Sequence, residues 1–346
     1  MDWIDLAILL IKAILVIAVN FLILMIMELA ERRVSAFMQD RVGPNRVGPF
    51  GLLQPVADGI KFLFKEEVTP SQVDKTLYWL APSLVLVPAL LTFSVIPFGM
   101  SFFAFGREIT LQIADLQVGL LFIFALVSLA VYGTVLGGWA ANSKYPLLGG
   151  LRASSQMISY ELSLGMSIVG VLMLVGSLRL SEVVAYQTGS LLSILPRWNI
   201  FTQPLGFLIF LIASFAETNR LPFDLPETEP ELVGGYHTEY SSMKFAMFFM
   251  GEYVALITTS ALLTTLFLGG WDVPWVNEAA LGLWGVLLSM AAFAVKTGFF
   301  LFLFLWVRWT LPRFRFDQLM HLGWKVLLPL AIVNILATGL FLYLAA

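Results

Sequence analysis

Apolar runs long enough to cross a bilayer recur along this chain, and they leave it few ways to fold. Eight can be read, roughly at 5–30, 77–98, 116–138, 156–176, 200–220, 244–268, 280–306 and 324–344. A helix needs about 20 such residues to cross the hydrocarbon of a membrane. The sequence is 59% hydrophobic and only 12% charged, with no linker-like stretch to divide it. The expected fold class is therefore all-α: a polytopic membrane bundle of about eight transmembrane helices, with residues 1–346 as a single membrane domain. The opening Met1-Asp-Trp-Ile-Asp lacks the basic start of a cleaved signal, so the first run is expected to remain as a span.

Basic residues set the expected orientation. The loops after spans one, three, five and seven hold most of them, from Arg32, Arg33, Arg41 and Arg46 to Arg313 and Lys325. The opposite side has Arg107, Arg179 and Arg197. The positive-inside rule then puts both termini on the outer side.

Composition also limits the chemistry. There is no cysteine, and the only histidines are His237 and His321. Cysteine-ligated iron–sulfur clusters and disulfides are excluded, a zinc site is disfavoured, and no glycine-rich loop is placed to cradle a nucleotide. Any flavin, cluster or metal in the reaction is expected on a partner, and no metal is expected here.

Polar residues concentrate in two stretches on the inner side. Loop 31–76 holds two Gly-Pro turns, at 43–44 and 48–49, which fix Arg41 and Arg46. It continues into an amphipathic segment with Leu52, Leu53, Val56, Ile60, Leu63 and Phe64 on one face and Gln54, Asp58, Lys61 and Lys65 on the other. That pattern predicts an interfacial helix. The second stretch, 217–243, carries Glu217, Asp224, Glu227, Glu229, Glu231 and Glu239. A solvated acidic loop is the plain alternative. Against it stand prolines at 222, 226 and 230 and the interleaved Leu221, Phe223, Leu225, Leu232 and Val233. The apolar run before it, 204–216, is too short to span. The helix is expected to continue past Glu217 and sink Glu217 and Arg220 as an i, i+3 pair.

Four further charges fall inside spans: Glu28, Glu161, Glu252 and Lys296. Each would cost on the order of 3 kcal/mol if unpaired, so together they predict pairing or hydration around one polar cavity in the inner half of the bilayer. Glu252 and Lys296 are expected at similar depth within it.

The strings Glu31-Arg-Arg-Val, Asp40-Arg-Val-Gly-Pro-Asn-Arg-Val-Gly-Pro-Phe-Gly-Leu-Leu-Gln-Pro, Glu217-Thr-Asn-Arg-Leu-Pro-Phe-Asp-Leu-Pro-Glu, Gly235-Tyr-His-Thr-Glu-Tyr and Leu311-Pro-Arg-Phe-Arg-Phe-Asp-Gln-Leu-Met closely resemble the heel (H) subunit family of respiratory complex I, the proton-pumping NADH:quinone oxidoreductase. The match runs over nearly the whole chain. The resemblance implies a subunit of an energy-transducing membrane, such as the bacterial cytoplasmic membrane. It implies docking against the iron–sulfur subunits of the peripheral arm and contact with neighbouring membrane subunits, antiporter-like ones included. Quinone and lipid would be its small-molecule partners, and nucleic acid would not. By motif, Glu31, Arg32, Arg33, Arg46, Asp58, Lys61 and Phe223 would belong to the quinone chamber or its arm contact. Glu161, Glu217, Arg220, Asp224, Glu227, Glu229, Glu231, Glu252 and Lys296 would form the proton or coupling path. Two other readings share the architecture: the equivalent subunit of a membrane-bound hydrogenase or other donor dehydrogenase, and a stand-alone proton or cation transporter. No inverted internal repeat of the transporter kind is found.

Overall fold

The computed structural model describes residues 3–104, 106–191 and 195–345, with the side chains of Ala104, Glu229 and Ala279 outside that description. The helices are α1 (Trp3–Met38), α2 (Gln54–Phe64), α3 (Lys75–Thr92), α4 (Gly119–Ala140), α5 (Lys144–Val175), α6 (Leu180–Gln187), α7 (Asn199–Thr202), α8 (Pro204–Glu217), α9 (Glu229–Leu232), α10 (Ser242–Phe267), α11 (Leu283–Thr310), α12 (Phe316–His321) and α13 (Leu328–Ala345). A π-helical segment, Leu322–Leu327, joins the last two into one rod. Two small antiparallel hairpins, β1 (Phe102–Ala104) with β2 (Arg107–Ile109) and β3 (Ser190–Leu191) with β4 (Leu195–Pro196), close loops at one end of the bundle. Among the described residues seven helices are long and apolar enough to cross a membrane, and the shorter α8 makes the eighth apolar rod.

Helix α10 is the most buried of the long helices, so the bundle is organised around it. Its Val254, Leu256, Ile257, Ala261, Leu262, Leu263, Leu266 and Phe267 pack into the main core. Phe267 meets Phe207 and Phe210 of α8 at ring-centroid distances of 5.4 and 5.7 Å. Phe215 of α8 packs on Phe304 of α11 at 4.2 Å. Contacts of this size are what holds helices together in lipid, where apolar burial from water contributes little.

Several boundaries differ from expectation, and three of them bear on where charged residues fall. Helix α1 runs through to Met38, about 54 Å of helix, so Glu31, Arg32 and Arg33 stand on a rigid rod and not in a loop. Helix α5 begins at Lys144, twelve residues before the expected 156, with Pro146 in its first turn, where a proline is tolerated. Helix α8 stops at Glu217 and does not continue to Arg220. Asn219 takes a left-handed conformation, φ 50°, which asparagine tolerates and which ends the helix. With 14 residues, α8 is about 21 Å long, and the short α7 precedes it.

The acidic stretch is folded into the bundle. Phe223, Leu225 and Leu232 are buried, and Tyr236 and Tyr240 join a second core with Tyr78, Val85, Ala140 and Phe248. Tyr78 and Tyr240 stack at 4.2 Å, and the Tyr78 hydroxyl donates to the Glu239 carbonyl at 2.7 Å. Close approach to α5 needs glycine on both sides: a Cβ on Gly149 would stand 2.5 Å from the Tyr236 nitrogen, and Gly235 has φ 63°. A solvated loop is thereby ruled out for most of this segment.

Candidate functional site

Where α1 leaves the bundle core, four elements converge on one carboxylate. Glu31 of α1 is met by Arg220 Nη1 at 2.9 Å, by Arg308 Nη1 of α11 at 2.5 Å and by the Tyr253 hydroxyl of α10, which donates at 2.6 Å. Arg220 also reaches Glu252 through Nε at 2.5 Å, and its guanidinium lies 4.4 Å over the Tyr253 ring. Arg220 is 3% exposed. A rigid planar fork suits two carboxylates and a ring face at once, which a lysine could not serve. Two arginines and two glutamates balance the charge of this buried cluster.

Beside the cluster lies a cavity of about 670 Å³ between α1, α2 and α10. Its walls are mainly apolar, with Phe21, Met25, Ile60, Phe62, Phe249 and Met250, while Glu28, Glu31, Arg32 and Tyr253 bring polar atoms to it. A cavity of this size, apolar with a few convergent polar groups, is the usual form of a small-molecule site. The amphipathic α2 forms one wall. Arg32 holds it by bonding Asp58 and Glu28 at 2.7 Å each, and Gln54 donates to Asp58 at 3.2 Å. At its other end Ser242 donates to the carbonyls of Phe62 and Lys65 at 3.0 and 2.9 Å.

Three acids of the folded segment find separate partners. Asp224 pairs with Arg313 at 2.7 Å, Glu227 with His237 at 3.3 Å, and Glu231 with Arg152 at 2.6 Å. Glu217 differs: it is buried, and neither carboxylate oxygen has a hydrogen-bond partner among the described residues. Its electrostatic neighbour is Glu161, which accepts a hydrogen bond from Ser128 of α4. Burial, with Glu227 close by, pushes Asp224 up to about 6 in spite of Arg313. Folding therefore favours its protonated form, and the stability this contributes is full below the ordinary aspartate range and lost as pH rises through about 6. Thermal unfolding of the purified protein in detergent should show it: between about pH 4 and pH 7 the parent loses up to about 3 kcal/mol that Asp224→Asn does not lose. Identical slopes for both proteins would contradict this.

A sequence profile of the NADH dehydrogenase family matches residues 11–339. A Geobacter metallireducens protein, named as an H-type subunit of NADH-quinone oxidoreductase, is 56% identical over 340 residues, 98% of each chain. The chain belongs to the heel (H) subunit family of NADH dehydrogenase. A Geobacter sulfurreducens relative with the same kind of name is 58% identical over 90% of this chain and 89% of its own, and one from Cytophaga hutchinsonii is 51% identical over 94% and 93%. Neither a hydrogenase nor a stand-alone transporter is favoured by these relatives.

In this member of the heel family, Glu31, Glu252 and Arg220 come together, and Arg32 and Asp58 join α1 to α2. Several expected placements are corrected. Glu217 and Arg220 do not pair, because the break at Asn219 turns Arg220 towards Glu31 and Glu252. Glu252 and Lys296 do not share a cavity: Lys296 lies beside Thr297, which bonds Thr264 at 3.3 Å, about 18 Å along α10 from Glu252. Phe223 packs between Tyr160 and Phe314, at 5.4 Å from each ring, and is not in the wall of the cavity. Arg33 braces the Gly-Pro loop by donating to the Phe50 carbonyl. Lys61 and Arg46 are exposed, and the Glu229 side chain lies outside the described residues. Arg308 and Arg313 escaped the sequence reading as site residues; each ends an apolar run, where an arginine reads as a membrane-edge charge. Among the described residues no group of histidines and acids is arranged to hold a metal ion.

Proposed function

We propose that this chain forms the quinone-access chamber of a proton-translocating NADH-quinone oxidoreductase, and that the cavity between α1, α2 and α10 is that chamber. The observation that carries this reading is the cavity itself: apolar walls for an isoprenoid tail, beside a buried, charge-balanced Glu31–Arg220–Glu252–Arg308 cluster. Electrons would come from an iron–sulfur partner docked at the end where Arg41, Arg46 and Lys61 are exposed, which we assign to the cytoplasmic side by the positive-inside rule. Both termini then face outward.

Negative charge arriving on a quinone in this cavity would act on the cluster through a low-dielectric medium, where charges a few ångströms apart interact by several kcal/mol. Glu252 and Arg220 are both electrostatic neighbours of Glu227 and Asp224, so the disturbance has a route into the acidic segment and on towards Glu217 and Glu161. In this scheme the chain relays charge and protons, and neighbouring antiporter-like subunits receive the result. Narrowing the chamber tests it. Ile60→Trp is expected to raise the KM for a short-chain quinone about ten-fold while NADH oxidation by ferricyanide in the assembled complex is unchanged. Unaltered quinone kinetics in that variant would remove the cavity from the reaction.

A further inference from the structure

The far end of α10 is gripped by side chains from three other helices. Gln187 of α6 donates to the Thr265 carbonyl at 2.9 Å, and Asn199 of α7 to the Leu266 carbonyl at 2.8 Å. The ammonium of Lys296, from the middle of α11, donates to the carbonyls of Leu268, Gly270 and Asp272 at 2.7, 3.0 and 2.6 Å and lies 4.6 Å over the Trp198 ring. An ammonium has three donors, and all three are used. A cation at a helix C-terminus also answers the dipole and the last carbonyls, which lack partners within the helix.

The same helix α11 carries Arg308, twelve residues further on, in contact with Glu31 at the cavity. Between the two, the polar tie from α11 to α10 is the 3.3 Å contact of Thr297 with Thr264; the rest is Phe300, Leu301, Phe304 and Leu305 in apolar packing. Apolar packing in a membrane tolerates sliding more readily than a threefold hydrogen-bonded ammonium does. A slip of one residue moves a helix by about 1.5 Å, which would part Arg308 from a carboxylate it now meets at 2.5 Å.

We infer that Lys296 is a positioning residue for the quinone site: its grip on the end of α10 fixes the register of α11 and so holds Arg308 against Glu31. The inference rests on the quinone reading of the cavity. It places Lys296 outside the proton path, as a clamp acting at a distance of about 18 Å along α11.

Quinone kinetics of the assembled complex, with ferricyanide reduction as the measure of assembly, test it. Lys296→Met is expected to raise the KM for a short-chain quinone about ten-fold with kcat nearly unchanged, since angström-scale misplacement of a binding group is costly. Lys296→Arg should recover most of the loss, and Lys296→Met should add little in an Arg308→Gln background, because both act on one contact. Should Lys296→Met not assemble, Lys296→Gln, which keeps two donors, takes its place in the same comparison. An unshifted KM, or effects of the two changes that multiply, would overturn the clamp. If Arg308→Gln itself leaves quinone kinetics unaltered, the quinone reading of the cavity fails instead.

Discussion

Arg220→Met is expected to abolish quinone reduction and to impair assembly. The side chain is 3% exposed and lies between Glu31 and Glu252, so its loss leaves two buried carboxylates facing one another without their shared cation. Removing one partner of a buried pair typically costs about 3–5 kcal/mol, and here Arg220 serves two pairs. Arg308 still holds one oxygen of Glu31, so Glu252 is the group left bare. The compensating change follows: Glu252→Gln in the Arg220→Met background should restore assembly in part, though not activity. Arg220→Lys should be intermediate, because a single ammonium cannot reach both acids in the geometry of a guanidinium. Native gels and quinone reductase rates on isolated membranes would show the order wild type, Lys, Met; a fully active Met variant would mean that the cluster is structural ornament.

Glu217→Gln should behave in the opposite way, with normal assembly and lost coupling. Both oxygens of Glu217 are buried without a hydrogen-bond partner among the described residues, so the substitution removes no ion pair and keeps the side-chain volume. A buried carboxyl that nothing in the fold stabilises is poorly explained by stability, since an unpaired ionised group there costs several kcal/mol. Its place near Glu161, at the end of α8 and one turn from Arg220, suits a group that exchanges protons when the charge cluster changes. Proton pumping and quinone turnover should fall together by at least about ten-fold, the size of a lost proton-transfer group. Equal pumping and turnover in wild type and Glu217→Gln, measured in proteoliposomes, would exclude Glu217 from the relay.

The contrast between these residues shows what the sequence could reveal. Apolar runs and their lengths disclose a helical bundle because hydrocarbon allows nothing else to an isolated segment, and eight rods were legible to within a few residues at most ends. The polar start of α5 and the polar end of α1 were not, because a helix that leaves the membrane no longer shows as an apolar run. Charged residues inside spans were visible as expensive, yet their partners were not, since pairing depends on where each helix stops. One left-handed residue, Asn219, redirects Arg220 away from Glu217, and no periodicity announces it. Lys296 differs from expectation for a related reason: a residue count gives the depth of its Cα alone, whereas a long flexible stem lets its ammonium reach the carbonyls beyond the end of α10. Arg308 was hidden by position, as a charge where a membrane helix commonly carries one.

The most direct test of the account is where quinone binds. A photoreactive quinone analogue, irradiated in the assembled complex and mapped by mass spectrometry, should label peptides from two of the cavity's walls, residues 21–35 of α1 and 243–253 of α10, with a native quinone competing the label away. Label confined to helices of this chain that do not line the cavity, or unaffected by competition while turnover is inhibited, would contradict the assignment of the chamber.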